Sequence, residues 1–233
     1  MQNKKNNIII LAILIALFLF LLAACKEKQP ANPSPAGPLP SEPEPGATEP
    51  TTQPAKPTPE EETMIGYFPL KVGNTWEYEG KGMEYAEYKQ WVKYEKENKY
   101  QVMVDNGGTL IASVFTVGKD SIATTYKESE ASDEKNVLDM KNNVDITVLK
   151  LPLKKGTSWV SEENSYSIVQ TDAEITVPAG SFKDCVVVKA VFKDKATFML
   201  FYYKKSIGLV QSEFHAENGE IITSKLKKYQ LNE

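Results

Sequence analysis

From Met64 onward the apolar residues recur at every second position, not at the three-and-four spacing of an amphipathic helix. Thr171, Ala173, Ile175 and Val177 fall on one side of an extended chain, and Gln170, Asp172, Glu174 and Thr176 on the other. Pro178-Ala179-Gly180 then turns the chain, Pro presetting φ and Gly accepting a positive one. The returning strand gathers Phe182, Val186, Val188, Ala190 and Phe192 on one face. Asn106-Gly107-Gly108 separates residues 100–105 from 109–117, and Asn218-Gly219 separates 208–216 from 220–229; both are hairpin signals. Gly118-Lys119-Asp120 marks a turn before 122–126. Further strands are expected at 75–79, 85–95, 144–149, 166–169 and 196–204. Residues 85–95 are rich in Glu and Lys, which suit a helix. However, Tyr88, Val92 and Tyr94 alternate with Lys89, Trp91 and Lys93, and aromatics favour a pleated surface, so the segment is read as a strand. Residues 129–141 are polar and irregular, with room for one short helix. The expectation is an all-β domain over residues 64–233. Its ten or so antiparallel strands would form a curved meander, half-barrel or sandwich.

The domain contains an echo. Phe68-Pro69-Leu70-Lys71-Val72-Gly73-Asn74-Thr75-Trp76 returns as Leu151-Pro152-Leu153-Lys154-Lys155-Gly156-Thr157-Ser158-Trp159. Pro and Gly shape a turn, and the Trp then enters a strand as a large apolar anchor. The pattern predicts two similar halves starting near 67 and 150, each opened by the same corner. The competing reading is a pair of ligand-stacking tryptophans.

The N-terminal region has a different composition. Lys4 and Lys5 precede 15 uncharged residues, Ile8 to Leu22. That run is short for a bilayer span, which needs about 20 residues, and suits the h-region of a signal peptide. It ends in Leu22-Ala23-Ala24-Cys25. These four residues resemble the bacterial lipobox. The resemblance implies cleavage between Ala24 and Cys25, with diacylglycerol and further acyl chains (palmitate) on Cys25. Two chains at about 0.8 kcal/mol per buried CH₂ would hold the protein stably at the extracytoplasmic face of the membrane. Residues 26–63 follow, with 11 of the chain's 14 prolines. Pro fixes φ and lacks a donor, and almost nothing here is apolar, so this stretch is read as a disordered, semi-rigid tether. At about 3.1 Å per residue it could reach on the order of 100 Å.

The chemistry available is narrow. All 27 basic residues are Lys, the net charge is −4, and the chain has one His and two Cys. The absence of Arg and the acidic balance argue against nucleic acid. One His and two Cys leave no Cys₄ or Cys₂His₂ site, so no metal or other cofactor is expected. Asp105-Asn106-Gly107 lacks the spacing of a calcium loop. His215, with Glu213 and Glu217 two residues to either side, is the one candidate base. Ser181 and Ser212 are candidate hydroxyls, but neither sits in a Gly-x-Ser-x-Gly elbow. Cys185 precedes Val186-Val187-Val188 and reads as a buried strand residue. No catalytic residue is assigned. Residues 196–203 are apolar on both faces, and 110–117 nearly so, although a sheet with one wet face should alternate. Either a second layer covers these strands, or Phe198, Leu200 and Tyr202 line an apolar groove.

The lipobox, Gly73-Asn74-Thr75-Trp76-Glu77-Tyr78, Asp105-Asn106-Gly107-Gly108-Thr109, Val177-Pro178-Ala179-Gly180-Ser181-Phe182, and Tyr202-Tyr203 to Gly208-Leu209-Val210 occur in this order. The set resembles an uncharacterised family of surface lipoproteins of low-GC Gram-positive bacteria. It is distantly similar to the half-barrels that carry lipoproteins between membranes. The resemblance implies an exported β-domain and assigns no catalytic position. The expected function is a non-catalytic, membrane-anchored binding or scaffolding domain of the cell envelope. Its partner would be an envelope protein or an apolar small molecule. A lipid-binding or carrier half-barrel is the alternative, and an envelope hydrolase a third reading.

Overall fold

A computed structural model describes residues 64–232. The signal segment, Cys25 and the 26–63 tether lie outside the described residues. Twelve antiparallel strands form one sheet. They are β1 (Thr75–Lys81), β2 (Tyr88–Lys96), β3 (Lys99–Asp105), β4 (Leu110–Val117), β5 (Ser121–Ser129) and β6 (Ile146–Lys150). The second half comprises β7 (Ser158–Ser161), β8 (Asn164–Val177), β9 (Gly180–Val191), β10 (Phe198–Lys204), β11 (Gly208–His215) and β12 (Ile221–Gln230). Each strand pairs with its neighbours in sequence, except that β6 and β7 share no ladder while β1 pairs with β12. The sheet therefore curls into a nearly closed barrel of two six-stranded meanders.

The remaining seam, between β6 and β7, is closed by side chains. Trp159 Nε1 donates to Thr147 O at 2.9 Å, and Ser161 Oγ donates to Asp145 O at 2.8 Å. In return Thr147 N donates to Ser161 Oγ, and Asp145 N to Glu162 Oε1. Four backbone groups that would otherwise offer an open edge to another strand are thus satisfied within the chain.

The echoed corners have matching hydrogen bonds. Gly73 N donates to Val92 O at 2.9 Å, and Gly156 N to Ile168 O at 2.8 Å. Val92 N returns a bond to Asn74 O, and Ile168 N to Thr157 O. Asn74 Nδ2 and Thr157 Oγ1 each donate to the corner proline's carbonyl, Pro69 O and Pro152 O, at 2.7 Å. Gly73 and Gly156 have φ of +88° and +94°, the left-handed region that favours glycine. Trp76 and Trp159 then enter β1 and β7, and both are buried.

The interior is filled by the chain itself. Trp76, Tyr78, Val92, Val102, Val210 and Leu226 belong to one core cluster. Ile122, Leu149, Trp159, Tyr166, Val186, Val188 and Tyr203 belong to another. Met64 is fully buried in the second cluster, and Phe68 packs against it with its ring 5.1 Å from that of Tyr203. The domain's first residues thus help fill the barrel.

Two outer coverings explain the two-sided apolar strands. Residues 129–145 form no helix and instead strap across the outside of β2–β5. Ala131, Val137 and Leu138 pack on Met103, Ala112, Val114 and Tyr126, with Trp91 and Tyr94 alongside. Fully buried Gln101 pins the strap: its Oε1 accepts from Val137 N, and its Nε2 donates to Lys135 O, both at 2.8 Å. At the other outer face, Ala173, Val177, Cys185 and Val187 from the long β8–β9 hairpin share a cluster with Leu200 and Tyr202. The hairpin tip reaches β12, Ala179 N donating to Leu226 O at 3.0 Å.

Two bulges and one short turn correct local expectations. The β2–β3 register slips between Val92 and Tyr94, so Tyr94 joins Trp91 outside instead of Val92 inside. A slip at Lys183-Asp184, where Asp184 has φ +53°, sends Phe182 to the opposite face from Val186 and Val188. Residues 85–95 divide into a 3-10 turn, Glu84–Ala86, and strand β2.

Candidate functional site

The sequence-derived candidates do not converge. Ala24 and Cys25 lie outside the described residues. Leu200 and Tyr202 are half-buried and pack beside the β8–β9 hairpin. Phe198 stacks on the His215 ring at a centroid distance of 4.3 Å, and Lys189 Nζ lies 4.0 Å from the Phe198 centroid. Burial first, and then the Glu213 carboxylate, pushes the Tyr202 hydroxyl up to about 12.

His215 bonds Glu213 at 2.8 Å, and the other Glu213 oxygen accepts from Gln211 Nε2. The strand ends at His215, so Glu217 falls in the following turn and does not join this row. Ser212 differs from His215 by an odd number of strand positions and therefore lies on the opposite face. Ser181 instead pairs with Thr176 at 3.0 Å in the exposed hairpin. Cys185 is fully buried, and its thiol is raised chiefly by that burial, with Asp184 adding to the effect and Lys204 opposing it. Among the described residues no group of three His, Cys, Asp or Glu is placed to hold a metal ion.

A cavity of about 590 Å³ opens elsewhere, where β1, β2 and β12 meet the Glu84–Ala86 turn and the β3–β4 hairpin. Glu77, Glu84, Glu87 and Asp105 supply carboxylates, and Lys89 and Lys227 supply ammonium groups. Tyr85, Tyr88, Asn106 and Gly107 complete the wall. Of the lining residues only Asp105-Asn106-Gly107 drew notice from sequence, as a calcium loop that its spacing ruled out.

Local constraints hold this cleft in shape. The Glu84–Ala86 turn lies so close to β1 that a Cβ on Gly80 would sit 2.1 Å from Glu87 N. Ser224 Oγ pins the same turn by donating to Ala86 O at 2.7 Å. In the β3–β4 hairpin, Asn106 Oδ1 accepts from Gly108 N and Thr109 N, while Asp105 Oδ1 accepts from Gly107 N. Lys227 is the extra residue of a bulge opposite Glu77 and Tyr78. The bulge lets Leu226 pair with Tyr78 and fill the core while Lys227 lines the cleft. At the cleft floor Tyr78 and Tyr88 stack at 4.4 Å, and Tyr78 OH donates to Leu209 O. Burial raises both hydroxyls well above the ordinary tyrosine range, so they remain protonated.

The ionic groups are not consumed by one another. Among the described residues, none of the four carboxylates or two ammonium groups in the wall forms an ion pair within 4.0 Å. The cleft therefore offers acceptors and donors side by side on a rigid frame.

No protein-family model matches the chain, and no curated protein does. Two solved structures show weak likeness. One is a protein of Bacteroides fragilis NCTC 9343 described as exported, with a YmcC-like fold. It has 14% identity and a TM-score of 0.41, over 70% of this chain and 97% of that one. The other, from Parabacteroides distasonis ATCC 8503, is described as a lipoprotein. It has 14% identity and a TM-score of 0.44, over 70% of this chain and 98% of that one.

Proposed function

We propose that this chain is a lipid-anchored protein of the extracytoplasmic membrane face, and that its β-barrel domain is a non-catalytic binding module for the cell envelope. The lipobox at Leu22-Ala23-Ala24-Cys25 supports the anchor, and the Pro-rich composition of 26–63 supports a tether that lifts the domain off the bilayer. The observation that carries the binding role is the cleft. It is held open by pinned loops, and none of its charged groups is taken up in an ion pair. An apolar guest is disfavoured because side chains fill the barrel interior and the cleft wall is mostly polar.

Cys25→Ala is expected to leave uncleaved precursor or to release the protein into the soluble fraction. Unchanged membrane fractionation, with no acyl mass on the Cys25 peptide of the wild type, would contradict the anchor. For the binding role, adding isolated envelope material should slow amide exchange in residues 84–89 and 105–107. Exchange rates that stay the same would count against the cleft as the binding surface.

A further inference from the structure

We propose that the ligand of the cleft is an oligosaccharide, with Tyr85 as its stacking platform. The assignment rests on the reading of the cleft as a binding site and specifies what that site takes. Tyr85 is 37% exposed; among the aromatic rings of the described residues only Tyr229 is as open, and Tyr229 does not line the cleft. It is also fixed in place. A Cβ on Gly108 would lie 2.6 Å from Tyr85 Cε1, 3.1 Å from Cδ1 and 3.3 Å from Cζ, so the Cδ1–Cε1–Cζ side of the ring rests directly on this glycine. The exposed part of the ring lines the cleft and can meet a flat, weakly apolar partner. A sugar ring has such a face, formed by its axial C–H groups, and a rim of hydroxyls that both donate and accept.

The surrounding groups match that rim. Glu77, Glu84, Glu87 and Asp105 accept, while Lys89 and Lys227 donate. Asn106 directs its Oδ1 to its own turn, which leaves its amide N–H groups as further donors beside the ring. The cavity volume of about 590 Å³ suits a ligand of a few rings rather than a single ion. Other chemistries fit less well. Four carboxylates repel phosphate, and the wall has no guanidinium fork to overcome them. A polycation would meet Lys89 and Lys227 inside the same wall. A ligand of mixed donors and acceptors uses both charge types without needing net charge of its own.

The test uses the full lipidated chain in detergent micelles, titrated calorimetrically with the N-acetylglucosamine trimer, cellotriose, maltotriose and trilysine. At least one of the three sugars is expected to bind saturably. Tyr85→Ala should weaken that binding about tenfold, while Tyr85→Phe retains it. Glu84→Gln should also weaken it, and because Glu84 is exposed this variant decides the matter if Tyr85→Ala lowers the melting temperature. Failure of all three sugars to bind would overturn the proposal, as would sugar binding indifferent to both Tyr85→Ala and Glu84→Gln. Saturable binding of trilysine alone would make the cleft a cation site and would equally overturn it. None of these outcomes touches the anchor, and protection of the cleft by envelope material would still support a binding module with a different ligand.

Discussion

Truncating Trp76 to alanine is expected to destabilise the β-domain by about 3–5 kcal/mol, the range for removing a buried large aromatic. Trp76 is 3% exposed and packs in a core cluster with Tyr78, Val92, Val210 and Leu226. Its Nε1 also donates to Ile207 O at 2.7 Å, tying β1 to the β10–β11 turn across 131 residues of sequence. Trp159→Ala should fall in the same range, with an added signature. Trp159 stacks on Tyr166 at 5.6 Å and donates across the β6–β7 seam, so its loss should speed amide exchange in β6. Chemical denaturation of both variants measures the first effect, and site-resolved exchange the second. Trp→Phe at either position separates packing from hydrogen bonding, since Phe keeps a ring but cannot donate. Wild-type stability in both alanine variants would show that neither indole anchors the fold and would restore the reading of the pair as ligand platforms.

The second large effect lies in the strap. Gln101→Leu is expected to cost about 2–3 kcal/mol. It leaves Val137 N without its partner in a buried setting, where an unmet polar group costs about 1–3 kcal/mol, and removes the part-buried bond to Lys135 O as well. The apolar substitute cannot compensate, because both orphaned groups belong to the backbone of the strap. Loosening the strap would also uncover Met103, Ala112, Val114 and Leu138. An increase in dye binding or self-association should therefore accompany the loss of stability. Urea titration with Trp91 fluorescence as the reporter checks this, since Trp91 packs beneath the strap. A variant with wild-type midpoint and no new apolar surface would show that the strap is held by something other than Gln101.

The strands were readable because each buries one face, which imposes period two on the sequence. Where both faces are at least half-buried the alternation vanishes, as in Phe198-Met199-Leu200-Phe201-Tyr202-Tyr203. The sequence left open whether a second layer or an apolar groove accounts for the second face. One cover is the distal β8–β9 hairpin, whose turn and alternation are legible but whose bulges, which move Phe182 to the other face, leave no sequence mark. The other is the strap, where Val137 and Leu138 sit among charged neighbours too irregular to suggest a core. Strand β7, only Ser158–Ser161, is marked by the echoed tryptophan entering a strand and is too short to show an alternation of its own.

The cleft was hidden for a different reason. Its wall draws on five separate segments between Glu77 and Lys227, and each residue taken alone is an ordinary surface Glu, Lys or Tyr. Only the twelve-strand closure brings β12 beside β1 and so places Lys227 near Asp105 and Tyr85. Gly80 and Gly108 carried the available clue. They lie outside the positive-φ turns, and each is required by the close approach of another segment, a constraint that a single sequence does not display.

In the proposed function a ligand binds at the external polar cleft, while the protein's own side chains fill the barrel interior. Native mass spectrometry of the full chain from its own membrane, paired with titration of a lipophilic dye, tests this most directly. The predicted result is a mass equal to the polypeptide plus covalent acyl groups on Cys25, with no saturable dye uptake by the folded domain. A stoichiometric, non-covalent lipid released on unfolding, or one saturable dye site displaced by lipid, would contradict it.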